Sequence, residues 1–334
     1  MDSDSLSGSR TPQILAMPCG EAGHVLGLVR PRVERYGWGK HSSVRLSVLG
    51  TDSSDQGYWI GTGGAIRQII FEDGENGPGT WLAVRQATVI TIFRPIYGKS
   101  LGSSVRPSGS SRTYLPSNLD PNPLVELPAE RSSSSSHVDF SFNPWYARQF
   151  AVVDPLGRWS IWDIEGRHGK NSSFKLVPGK SASFYDGSVP DPTGKIPIQD
   201  VADGWHRILW TCNISTIVLC NRRHLAVFDV KAKPIRLQIP NFLEATDTEW
   251  ILDIKRSAVN FNHIFVLTTS RIFWIEVSPG GEQRDDHIGY AGAKIILSYR
   301  HFRDASDESL RLTALKDDSG MVLKTLIWIF AYRM

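Results

Sequence analysis

The side chains that could carry covalent chemistry are few, and their spacing works against it. His137, Asp139 and Ser141 have the residue types of a nucleophilic triad. Alternate residues of an extended strand share one face, and no glycines of a nucleophile elbow or oxyanion hole accompany them. Gly61-Thr62-Gly63-Gly64-Ala65 has the composition of a phosphate-cradling loop. Such a loop needs a helix N-terminus after it and usually a Lys-Ser/Thr. Residues 66–71 read instead as a strand, so a β-turn is expected. The nine histidines include no HxxxH or HExxH spacing, and the three cysteines, Cys19, Cys212 and Cys220, form no CxxC pair. Metal binding is therefore not expected. Asp163, Asp229 and Glu276 are carboxylates at strand ends, better suited to pinning turns than to converging in a cleft. No catalytic, metal-ligating or cofactor-binding residue is assigned, and an enzyme is not expected. Arg94, Lys99, Arg106 and Arg112 lie in a stretch without an acid. They are candidates for sequence-independent phosphate contacts.

The chain that must position these groups has 334 residues, 41% of them apolar, with charge of both signs. That is enough for a sizeable core in one or two domains. The net charge of +3 is too small for a whole-protein nucleic-acid footprint, so any DNA contact is local or made by a partner. Residues 1–11 are Ser/Asp-rich without an apolar signal core, so secretion is not expected. The longest apolar run, residues 321–332, is broken by Lys324 and falls short of the roughly 20 residues a membrane helix needs. It reads as a buried strand, and no membrane or small-molecule partner is expected. The cysteines read as reduced packing residues of an intracellular protein.

Short alternating runs between Gly and Asp/Asn clusters, at residues 44–48, 65–71, 81–84 and 88–93, predict strands; helical periodicity is hard to find. Residues 98–136 are Ser/Pro-rich, contain five consecutive serines, and offer little to bury. They predict a disordered insertion. The expected division is a disordered tail at 1–20, a first blade region at 21–97, the insertion at 98–136, and further blades at 137–334.

The second half carries a repeat. Residues 149–153, 216–220 and 263–267 are apolar runs, each followed by a tight polar turn and a second run ending in Asp163, Asp229 or Glu276. A leading strand precedes each hairpin, at 138–142, 207–210 and 250–254, and a fourth unit is expected from 295 to 330. The acids are spaced somewhat more widely than the roughly 40–45 residues of a WD-type blade. A strand covered on both faces reads as a continuous apolar run, and one such hairpin cannot bury both faces alone. The expected fold is all-β: a WD-repeat-like β-propeller, incomplete at about five blade-equivalents. A series of β-sandwiches is the competing fold. Trp145, Trp159, Trp162, Trp205, Trp210, Trp250 and Trp274 are expected in cores and blade interfaces rather than as base-stacking platforms.

The stretch from Phe142-Asn143-Pro144-Trp145 through Gln149, Phe150 and Asp154 to Trp159, Trp162 and Asp163 resembles a known family. So do the run around Asn221-Arg222, the run from Asn262 through Arg271 to Trp274, and residues 85–95. The family is that of the RNA polymerase I-specific transcription initiation factors typified by the fungal core-factor propeller subunit. Its animal counterpart is a TBP-associated subunit of the selectivity factor. The resemblance covers roughly residues 36–316. It implies a protein-docking propeller in a core promoter factor that assembles pre-initiation complexes on ribosomal DNA. It also implies partners: a TFIIB-like subunit, a helical-repeat subunit, TBP and RNA polymerase I, in the nucleus and nucleolus. Family members carry a long helical region after the propeller, so this chain is expected to be truncated relative to them. The alternative is a generic WD-repeat-like adaptor of another multiprotein complex; the motif at 142–165 weighs against it.

Overall fold

Runs such as Val89–Phe93, Thr216–Cys220 and His263–Thr268 are rich in β-branched and aromatic residues, and each is buried along nearly its whole length. Such runs are stable only as central strands with sheets on both faces. The computed structural model describes residues 13–38, 42–49, 55–74, 77–102, 117–132, 136–167, 173–185, 203–231, 234–237, 249–278, 292–317 and 324–331. Their regular structure is antiparallel strand, apart from the short 3-10 turn Ala129–Ser132. They fall into two compact units, residues 1–72 with 78–128, and residues 73–77 with 129–334.

In the first unit, β1 (Leu15–Cys19), β2 (Val25–Val29) and β5 (Gln56–Ile60) form a three-stranded sheet, and β3 (Arg32–Trp38) pairs with β4 (Ser42–Val48). A four-stranded sheet follows from β6 (Gln68–Gly74), β7 (Gly77–Arg85), β8 (Val89–Phe93) and β11 (Pro123–Pro128), in the order β11-β8-β7-β6. A further pair joins β9 (Ile96–Gly102) to β10 (Ser117–Asp120). Leu26, Leu28, Trp59, Leu82, Val84 and Phe93 form the core of this unit. The Gly61–Ala65 loop joins β5 to β6, so a strand follows it and not a helix. Its backbone is held by the Gln86 side chain, which accepts from Gly63 N and donates to Gly64 O.

Two expectations are corrected here. Leu15–Cys19 is a strand rather than part of a disordered tail, because Ala16 and its neighbours pack on the β2 sheet. Within the expected insertion, 98–102 and 117–132 are ordered. Leu119 and Leu127 are fully buried, and β11 completes a sheet by pairing with β8. Residues 103–116 and 133–135 lie outside the described residues.

The second unit is a series. β12 (Asp139–Phe142), β13 (Gln149–Val153), β14 (Arg158–Gly166) and β15 (Phe174–Ser183) form one sheet in chain order. β16 (Arg207–Trp210), β17 (Thr216–Cys220), β18 (Leu225–Asp229) and β19 (Ile235–Leu237) form the next. β20 (Ile251–Arg256), β21 (His263–Thr268), β22 (Arg271–Val277) and β23 (Ala293–Arg300) form a third, and β24 (Leu310–Asp317) pairs with β25 (Lys324–Ala331). The expected fourth unit from 295 is thus divided. Residues 293–300 close the third sheet, because Ile295 pairs with Ile275 of β22. Cores lie between successive sheets. Trp159 and Ile161 pack on Ile217 and Phe228, and Val218 and Val227 pack on Ile264 and Ile275.

Candidate docking faces and the charge ladder between blades

The repeat read from sequence is a repeat of register. Gln149 pairs with Asp163, Thr216 with Asp229, and His263 with Glu276, always the first residue of the second strand with the acid. Asp163 accepts from Gln149 Nε2 at 2.9 Å, and Asp229 accepts from Lys231 N at 2.8 Å. At the other end of each hairpin a polar side chain closes the turn. Asp154 accepts from Leu156 N, Arg158 N and Arg158 Nε. Asn221 accepts from Arg223 N and His224 N, and Thr268 Oγ1 from Arg271 N. These three positions are equivalent in register. Trp162 and Phe228, 3% and 1% exposed, stand at matching places opposite Phe150 and Ile217.

A second register runs through the leading strands. Asp139, Arg207 and Asp253 sit opposite Val153, Cys220 and Leu267, which are equivalent to one another. Arg311 is the second residue of β24, the leading strand that follows. Charge alternates from sheet to sheet: acid, base, acid, base. Arg207 lies 3.5 Å from Asp139 and 3.8 Å from Asp253. Asp139 Oδ2 also accepts from Ile208 N at 2.9 Å, and Asp253 Oδ2 from Leu312 N at 3.0 Å. Each acid therefore reaches the backbone of the next leading strand. Burial opposes the charge on Arg207, yet the flanking Asp139 and Asp253 outweigh it and raise its pKa. Two charges buried at a seam are tolerated only when paired and hydrogen-bonded, as these are. The signal was present in sequence: one charged residue inside an otherwise apolar leading strand, in Val138-Asp139-Phe140, Arg207-Ile208-Leu209, Leu252-Asp253-Ile254 and Leu310-Arg311-Leu312.

The two ends of these sheets differ in chemistry. At the end with the Asp154, Asn221 and Thr268 turns, the Arg222 guanidinium lies 4.6 Å from the Trp205 ring centre and 5.5 Å from Trp250. It pairs with Asp203 at 2.9 Å and Glu308 at 3.3 Å. At the opposite end, three successive turns are tied together. Asn143 Nδ2 donates to Ile214 O, and both Thr211 Oγ1 and Cys212 N donate to Phe261 O. Trp145 meets Phe261 edge-on at 5.5 Å. Each of these turns projects one apolar side chain outward: Tyr146 at 45% exposure, Ile214 at 53% and Val259 at 36%. The result is a hydrogen-bonded platform with apolar residues facing water, a surface suited to binding another protein.

The model of the family described as "Rrn6, beta-propeller" matches residues 1–333. The chain belongs to that family. The Rrn6 propeller fold is all-β with repeated antiparallel sheets, as the sheet series here requires. The chain is 28% identical over 184 residues to the Saccharomyces cerevisiae protein named RNA polymerase I-specific transcription initiation factor RRN6. That match covers 54% of this chain and 17% of the yeast protein. A solved structure of the Saccharomyces cerevisiae core factor contains a chain that superposes with a TM-score of 0.58 at 17% identity. The superposition covers 96% of this chain and 43% of that one.

Against this Rrn6-family background the sequence-chosen residues occupy three successive sheets and do not converge on one point. Phe142 and Phe150 are buried around Phe140, and Pro144 lies in the turn that Asn143 and Trp145 organise. Trp159 packs on Phe228 across the seam between two sheets, and Trp162 donates to Ser160 Oγ. Trp274 is half-buried beside His263. His137, Asp139 and Ser141 are not wired together. Asp139 serves Ile208 and Arg207, while His137 Nε2 meets Ser132 Oγ at 2.7 Å in the lining of a cavity of about 350 Å³. Ser132 Oγ donates to Ala129 O, so the histidine is its donor rather than its base. Of the four basic candidates, Arg94 exchanges backbone and side-chain bonds with Asn122. The Lys99 side chain and the whole of Arg106 and Arg112 lie outside the described residues.

Proposed function

We propose that this chain is the propeller part of an RNA polymerase I-specific initiation factor and works as a protein-docking scaffold rather than as an enzyme. The match of the Rrn6 propeller family model to residues 1–333 carries this reading. The rigid turn platform bearing Tyr146, Ile214 and Val259 supports a docking role, because preordered apolar side chains lose little entropy on binding. The partners proposed are the other subunits of a core-factor-like complex, a TFIIB-like and a helical-repeat protein, together with TBP and RNA polymerase I. Ribosomal promoter DNA is engaged mainly through that complex, with Arg94, Lys99, Arg106 and Arg112 as the candidate direct phosphate contacts. The site of action is the nucleus, within the nucleolus. The test is purification of the tagged chain from nuclei, followed by mass spectrometry. Recovery of polymerase I initiation subunits is expected, and Ile214→Asp should deplete them while leaving the fold intact. A diffuse cytoplasmic protein that recovers another complex, such as a ubiquitin ligase, would replace this reading with that of a general adaptor.

A further inference from the structure

The sheet β20–β23 buries its two faces unequally. On one face Ile275 and Ile295 pack on Val218 and Val227 of the preceding sheet. On the other, Leu252, Phe265 and Leu267 meet Leu310 and Leu312, with Ile272, Trp274 and Ile329 at the margin. Leu297 pairs with Trp274 and Tyr299 with Ile272, and directly opposed residues share a face. Leu297 and Tyr299 therefore point the same way as Trp274, toward the side where β24 and β25 lie. They are 56% and 63% exposed, and Phe302 just beyond them is 81% exposed.

The preceding seams show what covers such a face. Trp159 pairs with Ala182 at the register place where Ile272 pairs with Tyr299. There Ala182 packs against a cluster that includes Ala226 and Phe228, both from the third strand of the following sheet. At the next seam Phe273 and Ile275, again from a third strand, cover Val218 and Val227. The sheet following β23 has two strands among the described residues, β24 and β25, where its three predecessors have four. The place over Leu297 and Tyr299 is that of a third and a fourth strand. Trp274 Nε1, buried with no hydrogen-bond partner among the described residues, lies on the same face.

We propose that Leu297, Tyr299 and Trp274 are the receiving surface for two further antiparallel strands that pair onto the outer edge of β25. The occupant is polypeptide continuing from β25, with apolar residues at alternate positions on the side toward Leu297. Three observations select it. The earlier hairpins pass from second to third strand through two to four residues, so a continuing chain would enter at this edge. The family's solved core-factor chain extends well beyond the segment matched here, which covers 43% of it. A second copy of this chain fits poorly, since its own β20–β23 sheet would occupy the space taken by β23. This inference rests on the propeller fold alone and not on the assignment to transcription initiation.

The test compares the 334-residue chain with a form extended by the roughly 40 residues, about one blade, that follow the matched propeller segment in the yeast relative. Cysteine is placed by Tyr299→Cys or, as a control on the opposite face, by Ser298→Cys, and soluble maleimide labelling is read at each site by peptide mass spectrometry. The extension is expected to slow labelling at 299 at least tenfold and to leave 298 unchanged. As a second readout, Leu297→Lys should be neutral in the short chain and lower the melting temperature of the extended one. Equal labelling at 299 in both forms overturns the proposal. So does protection of 299 in the short chain that rises with its concentration, which would assign the face to a second copy.

Discussion

Replacing Arg207 with leucine removes the one base that bridges two buried acids. The Arg207 side chain is 21% exposed, and those of Asp139 and Asp253 are 6% and 4% exposed. Breaking a buried pair by deleting one partner typically costs about 3–5 kcal/mol, because a charge is left uncompensated. Here the cost should sit near the low end, about 3 kcal/mol, for two reasons drawn from geometry. The contacts of 3.5 and 3.8 Å exceed the roughly 2.7–2.9 Å of a strong charged hydrogen bond. Each acid also keeps a backbone donor, Ile208 N or Leu312 N. Against a total stability of roughly 5–15 kcal/mol, this is a large fraction. The triple variant D139N/R207L/D253N keeps acceptors for both backbone donors and removes both stranded charges. It should therefore be about 1 kcal/mol or more stabler than Arg207→Leu alone. Urea denaturation with constant m-value measures both differences. A single substitution costing under about 1 kcal/mol, or a triple variant equal to the sum of its parts, would refute the ladder as an energetic unit.

Gly157 takes φ of 72°, and a Cβ there would stand 3.0 Å from His206 Nε2 and Phe184 Cβ. Gly157→Ala should therefore cost about 1–2 kcal/mol or more from the backbone alone, read as a lower urea midpoint. Cys212 is a non-glycine at φ 65°, and its thiol is pushed up to about 11 by burial. Cys212→Asn should be nearly neutral and Cys212→Val destabilising by at least about 1 kcal/mol, since a β-branched side chain is least tolerant of that backbone. His206, 2% exposed, has its pKa lowered from 6.5, chiefly by burial. The unfolded chain then binds the proton more readily than the folded one, so stability is full above pH 6.5 and falls as pH drops below it. In His206→Gln that slope should flatten; an unchanged slope would assign it to other groups.

The hairpins of the second unit were legible because a strand covered on both faces leaves no polar residue to blur its pattern, as in Thr216-Ile217-Val218-Leu219-Cys220. The turn at 154–157 was legible because Asp-Pro-x-Gly is written in local chemistry. The outer strands were not. Phe174–Ser183 contains Pro178 and Gly179 and is only partly buried, so its strand character comes from pairing with β14 rather than from its own residues. Leu15–Cys19 and Ser117–Asp120 failed for the same reason: each is held by a distant partner, β2 or β9. The ladder was missed although its residues stood in view. A single charge in an apolar run reads as an interruption until register shows Asp139, Arg207 and Asp253 at one level. The apolar platform depends on Tyr146, Ile214 and Val259, which lie some fifty to seventy residues apart and come together only through the repeat.

The central claim is that this Rrn6-family chain serves RNA polymerase I initiation, and chromatin immunoprecipitation of the tagged protein along the ribosomal DNA repeat tests it most directly. The account predicts a peak at the promoter, absent from the transcribed region and lost with Ile214→Asp. A flat profile across the repeat, from protein shown to be folded and nuclear, would contradict it.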